Sequence, residues 1–260
     1  RFLRLIGVPY VVDYDDALFH RYDCHSNAWV RRLLGKKIDS VMRHATTVIA
    51  GNRYLAERAH HAGASRVEMI PTVVDTQRYL PKPKAEVETP IVGWIGTPQT
   101  SRYLKLLLPV FEAIKNDMPV RFVAVGANPQ DFEGTPVEAW PWSEDSEVES
   151  VQQFDIGIMP LVDSPWERGK CGYKLIQYMA CGVPVIASPV GVNCEIVEEG
   201  SNGQLAGVAK EWDTALRDLL GAGFEKRQRM GAAGREQVER WYSLQAQAPR
   251  LCKVVREAQK

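Results

Sequence analysis

No stretch of this chain is tied as closely to one local structure as residues 166–189, WERGKCGYKLIQYMACGVPVIASP. It begins with a glycine-spaced loop that carries two cations, Arg168-Gly169-Lys170-Cys171-Gly172. Apolar Leu175, Ile176 and Met179 then recur at helical spacing. Gly182 followed by Pro184 predicts the end of that helix, because glycine takes the left-handed cap and proline cannot continue the turn. Val185-Ile186-Ala187 reads as a short buried strand. A glycine loop that opens a helix presents unpaired backbone N–H groups and the positive end of the helix dipole, which suits a phosphate. Lys170 and Lys174 add charge beside it. The same residues also fit a plain turn flanked by solvated lysines.

The whole string resembles the donor-binding segment of the retaining group 1 glycosyltransferases (family four, GT-B fold). Their signature is a glutamate, a short Phe/Gly loop, and a helix of the form Glu-Ala-Met-Ala-x-Gly-x-Pro-Val-Ile-Ala. Its second half stands here as Gln177-Tyr178-Met179-Ala180-Cys181-Gly182-Val183-Pro184-Val185-Ile186-Ala187. The resemblance implies an α/β protein of GT-B type with two Rossmann-like domains. Residues 1–83 would be an acceptor-side domain incomplete at its start. Residues 84–260 would be a complete donor-binding domain whose last helices cross back. The implied activity moves a sugar from a nucleoside diphosphate donor to a glycan or lipid-linked acceptor. No metal or other cofactor is implied, since protein cations and a helix dipole take up the diphosphate charge.

Carried over residue by residue, the resemblance makes Lys170 and Lys174 catalytic cations, with Gly169, Cys171, Gly172 and Tyr173 forming the donor loop. Gly96, Thr97 and Arg102 form the loop that faces it. The family carries Arg directly after that glycine and Lys a few residues on, so one cation is lost here and Lys170 or Lys174 replaces it. Gln177 falls on the family's second glutamate, which binds the ribose hydroxyls; glutamine keeps one acceptor and adds a donor. The first glutamate falls on Gly169, with Glu167 two positions earlier. Where the family ends a strand with a His-Asp pair, this chain has Asp15-Asp16. Asp15 cannot act as a neutral donor, but it can orient a sugar or acceptor hydroxyl. Such carboxylates are also ordinary helix caps. Trp142, in Trp140-Pro141-Trp142-Ser143, fits the loop beside the nucleobase, either as an aromatic wall or as plain packing.

The remaining pattern is a parallel α/β rhythm. Strands are expected at residues 8–12, 46–50 and 66–70, with a basic helix over 27–43 that turns Trp29, Leu33, Ile38 and Met42 inward. Residues 1–7 read as the end of a helix, so the chain is expected to begin inside a domain. Ile70-Pro71-Thr72-Val73-Val74-Asp75 resembles the family's approach to its interdomain linker, and Pro81-Lys82-Pro83-Lys84 reads as a stiff spacer. A second series follows, with about five strands, at residues 91–96, 121–125, 155–160, 185–187 and 204–208. A loop at 97–102 leads into a helix to residue 115, and a helical tail runs over 213–260, broken near 221–223 and 241–243.

Composition narrows the function classes. The net charge is zero, yet residues 1–83 carry 13 Lys+Arg against 8 Asp+Glu and all five histidines. That basic half suits an anionic acceptor or peripheral contact with a membrane, and equally a solvated surface. No apolar run reaches the roughly 18 residues that span a bilayer. Five scattered cysteines without metal-ligand spacing fit a reducing compartment, so a cytoplasmic location is expected, free or on the inner face of a membrane. Gly93 and Gly96 lack the dinucleotide fingerprint, and the strand at 121–125 ends in Gly126 where an acidic residue should grasp a ribose. No basic, aromatic-interleaved stripe points to nucleic acid. Two rival readings remain: a non-catalytic or truncated nucleotide-sugar binder, and a GT-B-fold sugar-nucleotide epimerase using Asp15 as base.

Overall fold

Short β-branched runs alternating with amphipathic helices build two sheets, every strand pair of which is parallel. A computed structural model describes residues 8–258; the helix end expected at residues 1–7 lies outside them. In the first sheet β1 (Val11–Tyr14), β2 (Thr47–Ala50) and β3 (Val67–Met69) lie side by side in that order. Helices α1 (His20–Asp23), α2 (Ala28–Leu34) and α3 (Lys37–His44) connect β1 to β2, and α4 (Arg53–Ala62) connects β2 to β3. Asn52 caps α4 by accepting the Leu55 N–H at 3.0 Å, and left-handed Gly63 closes it.

The second sheet holds β4 (Ile91–Ile95), β5 (Arg121–Val125), β6 (Val137–Trp140), β7 (Ile156–Met159), β8 (Val185–Ala187) and β9 (Gly203–Leu205). Their spatial order is β6-β5-β4-β7-β8-β9. The winding reverses between β4 and β7, and open α/β sheets take ligands at the carboxyl edge of such a switch point. Helices α5 (Ser101–Lys105), α6 (Leu108–Asp117), α7 (Glu147–Gln152), α8 (Pro165–Arg168), α9 (Tyr173–Ala180), α10 (Asn193–Ile196) and α11 (Ala209–Gly221) alternate with these strands. Trp94, Phe111, Phe122 and Ile156 pack on one face of the sheet. Phe154, Leu175, Tyr178 and Met179 pack on the other.

Two long helices complete the chain. α12 (Gly223–Trp241) lies against α9, and the approach is close because Gly231 has no side chain: a Cβ there would stand 1.9 Å from the Gly182 carbonyl oxygen. α13 (Leu244–Ala258) then returns to the first sheet. There Val74 exchanges backbone bonds with Tyr242 and Leu244 at 3.0 and 2.9 Å, and Arg250 reaches the Met69 carbonyl at 2.9 Å.

Several boundaries differ from the sequence reading. β1 starts later, so Asp13 lies inside it and only Asp15 and Asp16 follow. The expected helix over 27–43 is two helices, because Gly35 caps α2 by bonding the Arg31 carbonyl. Met42 is fully buried as expected, but Trp29 and Leu33 face outward, 68% and 74% exposed. Arg102 belongs to α5 and not to a loop, and the helix to residue 115 is divided at Leu106-Leu107. β6 is an additional strand; at the sheet edge it pairs only with β5, and a single partner leaves little apolar pattern to read.

Gly231→Ala is expected to destabilise the fold by about 1–3 kcal/mol through overpacking against a backbone carbonyl. Gly221→Ala, at a helix end with nothing within 4 Å, should stay within about 0.5 kcal/mol of the wild type. Urea unfolding of the two variants separates the outcomes.

Candidate functional site

The carboxyl edge of the second sheet carries a helix start with unusual backbone geometry. Gly172 sits at φ 68°, a conformation that glycine adopts without strain, and a Cβ there would stand 2.3 Å from Ile196 Cδ1. This turn begins α9, and the N–H groups of Gly172, Tyr173 and Lys174 find no backbone acceptor among the described residues. They are the free donors of a helix start and they lie on a cleft. One lobe of that cleft encloses about 300 Å³ and is lined by Asp15, Asp16, Thr72, Met159 and residues 170–174.

Charge in this lobe is balanced across the two sheets. Lys170 from the second faces Asp16 from the first at 3.5 Å. Burial raises the Asp16 carboxyl above its ordinary range, and the Lys170 ammonium opposes that shift. Burial also raises Asp13, reinforced by its neighbour Asp15. Lys174 lies over the Trp94 ring, 5.5 Å from its centroid. Burial, with repulsion from Lys170, brings its ammonium down to about 8.

Tyr173 and Lys174 also border a second lobe of about 330 Å³. Its wall is formed by Gly96 and Thr97 after β4, Gly126 after β5, Trp142, Glu147 and Gln177. Gly126 lets two loops meet, since at φ 79° its Cβ would lie 2.3 Å from the Gly96 carbonyl oxygen. Glu147 is the hub. Its carboxylate accepts the Trp142 indole N–H at 2.7 Å, the Gln177 amide at 3.0 Å and the Tyr79 hydroxyl. Gln177 is buried and also donates to Tyr79 at 2.9 Å. A carboxylate therefore stands beside the glutamine, delivered by α7.

Three expected donor-binding residues lie elsewhere. Arg102 donates to the Tyr103 hydroxyl at 2.7 Å and lines neither lobe. Glu167 is buried, accepts from Tyr103 and Ser164, and stands 3.6 Å from Arg102, so it fastens α8 to α5 behind the cleft. Gly169 is a packing contact, where a Cβ would come within 2.4 Å of Ala17 Cβ. The structure does bring together Asp15, Lys170, Cys171, Gly172, Tyr173 and Lys174 in one lobe, and Gly96, Thr97, Trp142 and Gln177 in the other.

Asn52, which sequence reasoning passed over, joins the two halves. While its Oδ1 caps α4, its Nδ2 donates to the carbonyls of Gly169 and Lys170 at 3.1 and 3.0 Å. Gly51 beside it makes room for Cys171, whose Sγ would be 2.4 Å from a Cβ. Burial pushes the Cys171 thiol up to about 12, which leaves it a neutral wall of the cleft. A capping residue was legible at position 52, but its second set of partners lies 117 and 118 residues away. A third cavity, of about 380 Å³, opens between the first sheet and α13, and Asp15 and Thr72 line both it and the first lobe.

A doubly wound sheet whose switch point carries this helix start, set across a cleft from a smaller parallel sheet, is the GT-B arrangement of nucleotide-sugar enzymes. Residues 89–222, more than half of the chain, match the family described as glycosyl transferases group 1, and the chain belongs to that family. Sulfoquinovosyl transferase SQD2 of Arabidopsis thaliana is 22% identical over 261 residues, covering 92% of this chain and 50% of that protein. Spore coat protein SA of Bacillus subtilis (strain 168) is 37% identical over 81 residues, 30% of this chain and 21% of that one. The chain thus spans half or less of the length of these curated relatives. Among solved structures, sucrose-phosphate synthase from Thermosynechococcus elongatus superposes with a TM-score of 0.77 at 19% identity, over 98% of this chain and 70% of that one. Anabaena Alr3699/HepE in complex with UDP and glucose superposes at 0.75 and 15% identity, over 97% and 73%. At such identities the likeness establishes the fold.

Replacing Asn52 separates its two tasks. Asn52→Ala should cost about 2 kcal/mol, through the lost cap and the amide donor removed from the Gly169 and Lys170 carbonyls. Asn52→Asp keeps the cap but sets a carboxylate against those carbonyls, so it too should destabilise. An aspartate variant as stable as the wild type in urea would show that the link across the cleft contributes nothing.

Proposed function

We propose that this chain is the donor-binding and catalytic part of a retaining glycosyltransferase that uses a nucleoside diphosphate sugar. The observation that carries this reading is the start of α9: free N–H groups after a left-handed Gly172, two lysines, and a cleft at the switch point. In the proposed complex the diphosphate lies over Gly172 and Tyr173, between Lys170 and Lys174. As the bond from the anomeric carbon to the β-phosphate oxygen breaks, charge grows on the leaving diphosphate, and these preorganised donors stabilise it. No metal is needed in this scheme, since the two ammonium groups and the helix dipole supply the positive charge.

The nucleoside occupies the second lobe, with its base against Trp142 and its ribose hydroxyls shared between Gln177 and Glu147. The Glu147 carboxylate restores the negative acceptor that a glutamine at 177 lacks. UDP in the Anabaena structure supports a uridine nucleotide as the first candidate. Asp15 and Thr72 stand where the donor lobe meets the cavity under α13, and that cavity is the proposed seat of a glycan or lipid-linked acceptor. There the Asp15 carboxylate accepts a hydrogen bond from a sugar or acceptor hydroxyl. We place the work of the first unit, residues 1–83, on the acceptor side and that of residues 84–260 on the donor side.

Thermal-shift titration with UDP, GDP and ADP tests the assignment directly, since a specific ligand at a hundredfold excess over Kd stabilises by about 2.7 kcal/mol. Lys170→Ala and Lys174→Ala should each weaken diphosphate binding about tenfold to a hundredfold, while free nucleoside binds as before. Equal losses for both ligands would remove the phosphate role. Release of nucleoside diphosphate with no glycosylated product for any acceptor would favour the epimerase or a hydrolase.

The pH dependence has a defined sign. Lys174 in the free protein loses its proton near 8, and a bound diphosphate favours the charged form. Affinity should therefore be insensitive to this group below about pH 7 and fall as pH rises through 8. Calorimetry in buffers of different ionisation enthalpy should show proton uptake on binding above pH 8, and none in Lys174→Ala.

A further inference from the structure

One helix of the first unit has no interior at all. α2 contains no buried residue, although it carries Trp29, Val30, Leu33 and Leu34. Trp29 and Leu33, one turn apart, share a face and are 68% and 74% exposed; Leu34 beside them is 41% exposed. Leaving these side chains in water forgoes the burial that Phe19, Met42 and Leu55 of the same unit obtain, so this face is open to a partner.

The charge around it identifies the partner. Residues 24–38 hold Arg31, Arg32, Lys36 and Lys37 and no carboxylate. The flanking acids are already engaged, because Arg58 bridges Asp23 at 3.0 Å and Asp39 at 2.8 Å. Arg31 is used locally, donating to the His25 and Ser26 carbonyls at 2.6 and 2.8 Å. Lys37 reaches the Tyr22 hydroxyl at 3.3 Å. The side chains of Arg32 and Lys36 are exposed and make no hydrogen bond or ion pair among the described residues, so two cations flank the apolar face uncompensated. A second copy of the chain, meeting it symmetrically, would set this basic rim against itself.

We propose that α2 is a membrane-docking element that seats the first unit on an anionic lipid surface. Trp29, Leu33 and Leu34 enter the headgroup and acyl boundary, where tryptophan is favoured, and Arg32 and Lys36 pair with lipid phosphates. Three apolar side chains on a helix of seven residues give a weak, reversible anchor that depends on the electrostatic part. The inference does not rest on donor chemistry and stands or falls separately from it.

Sedimentation of the full chain with vesicles tests it. The protein should bind vesicles of phosphatidylcholine mixed with phosphatidylglycerol and ignore phosphatidylcholine alone, and salt should release it as the Debye length shrinks from about 10 Å at 0.1 M to about 3 Å at 1 M. Trp29→Ser with Leu33→Ser should lower partitioning at least about tenfold. Arg32→Gln with Lys36→Gln should lower it roughly fivefold per cation removed. All four positions are exposed, so the melting temperature should not move. Wild type that stays in the supernatant with anionic vesicles, or variants that sediment like it, would overturn the proposal. So would a dimer on gel filtration that the Trp29→Ser, Leu33→Ser variant turns into a monomer, since the occupant of the face would then be a second copy.

Discussion

The geometry of the cleft depends on a backbone conformation at one residue. Gly172 turns the chain left-handed immediately before α9, and that turn aims unpaired N–H groups at the switch point of the larger sheet. A side chain at 172 would collide with Ile196 and strain the backbone. The role proposed for the lysines depends on this placement. Lys170 and Lys174 are ordinary cations until the turn puts one before the helix and one in its first turn, on the same wall.

Around that turn, polar groups link the elements from both sides. Asn52 holds the carbonyls of residues 169 and 170 from the first sheet. Glu167 binds Tyr103 and Ser164 from behind. Glu147 gathers Tyr79, Trp142 and Gln177 at the far lobe. These three side chains are tolerated near or within the interior because each has partners, most of which come from distant parts of the chain. Shared carboxylates and amides of this kind fix where loops end, and so define the space left for a ligand.

Much of this was legible before any coordinates. The loop, helix and strand at 166–189 needed only glycine placement and apolar spacing, and α9 with β8 fall where those signals put them. The roles of Arg102, Glu167 and Gly169 were not legible, because a motif supplies residue types and spacing without saying which way a side chain turns. Tyr103 draws both Arg102 and Glu167 away from the cleft, and no local pattern marks it. Glu147 is hard to read for the opposite reason: it is one of four acids within residues 144–149, and its partners come from three separate segments. Helical periodicity likewise found an apolar face on α2, but periodicity is silent on whether anything covers it.

The chain between the two sheets is where its fastening has a mechanical result. Arg235 of α12 holds the carbonyls of Thr76, Tyr79 and Ala180, Gln152 holds that of Leu80, and Lys84 that of Phe154. Val74 and Tyr79 belong to the core of the larger sheet. Residues 74–84, the proline pair among them, are therefore fastened to the larger body, although the sequence reads them as the end of the first unit and a spacer. The backbone that joins the smaller body to the larger one is residues 70–73 and the turn at Tyr242-Ser243 where α12 gives way to α13, and the two crossings lie side by side. Two backbone crossings that lie side by side define a single line, and a rotation of the smaller body about that line would bend the least backbone.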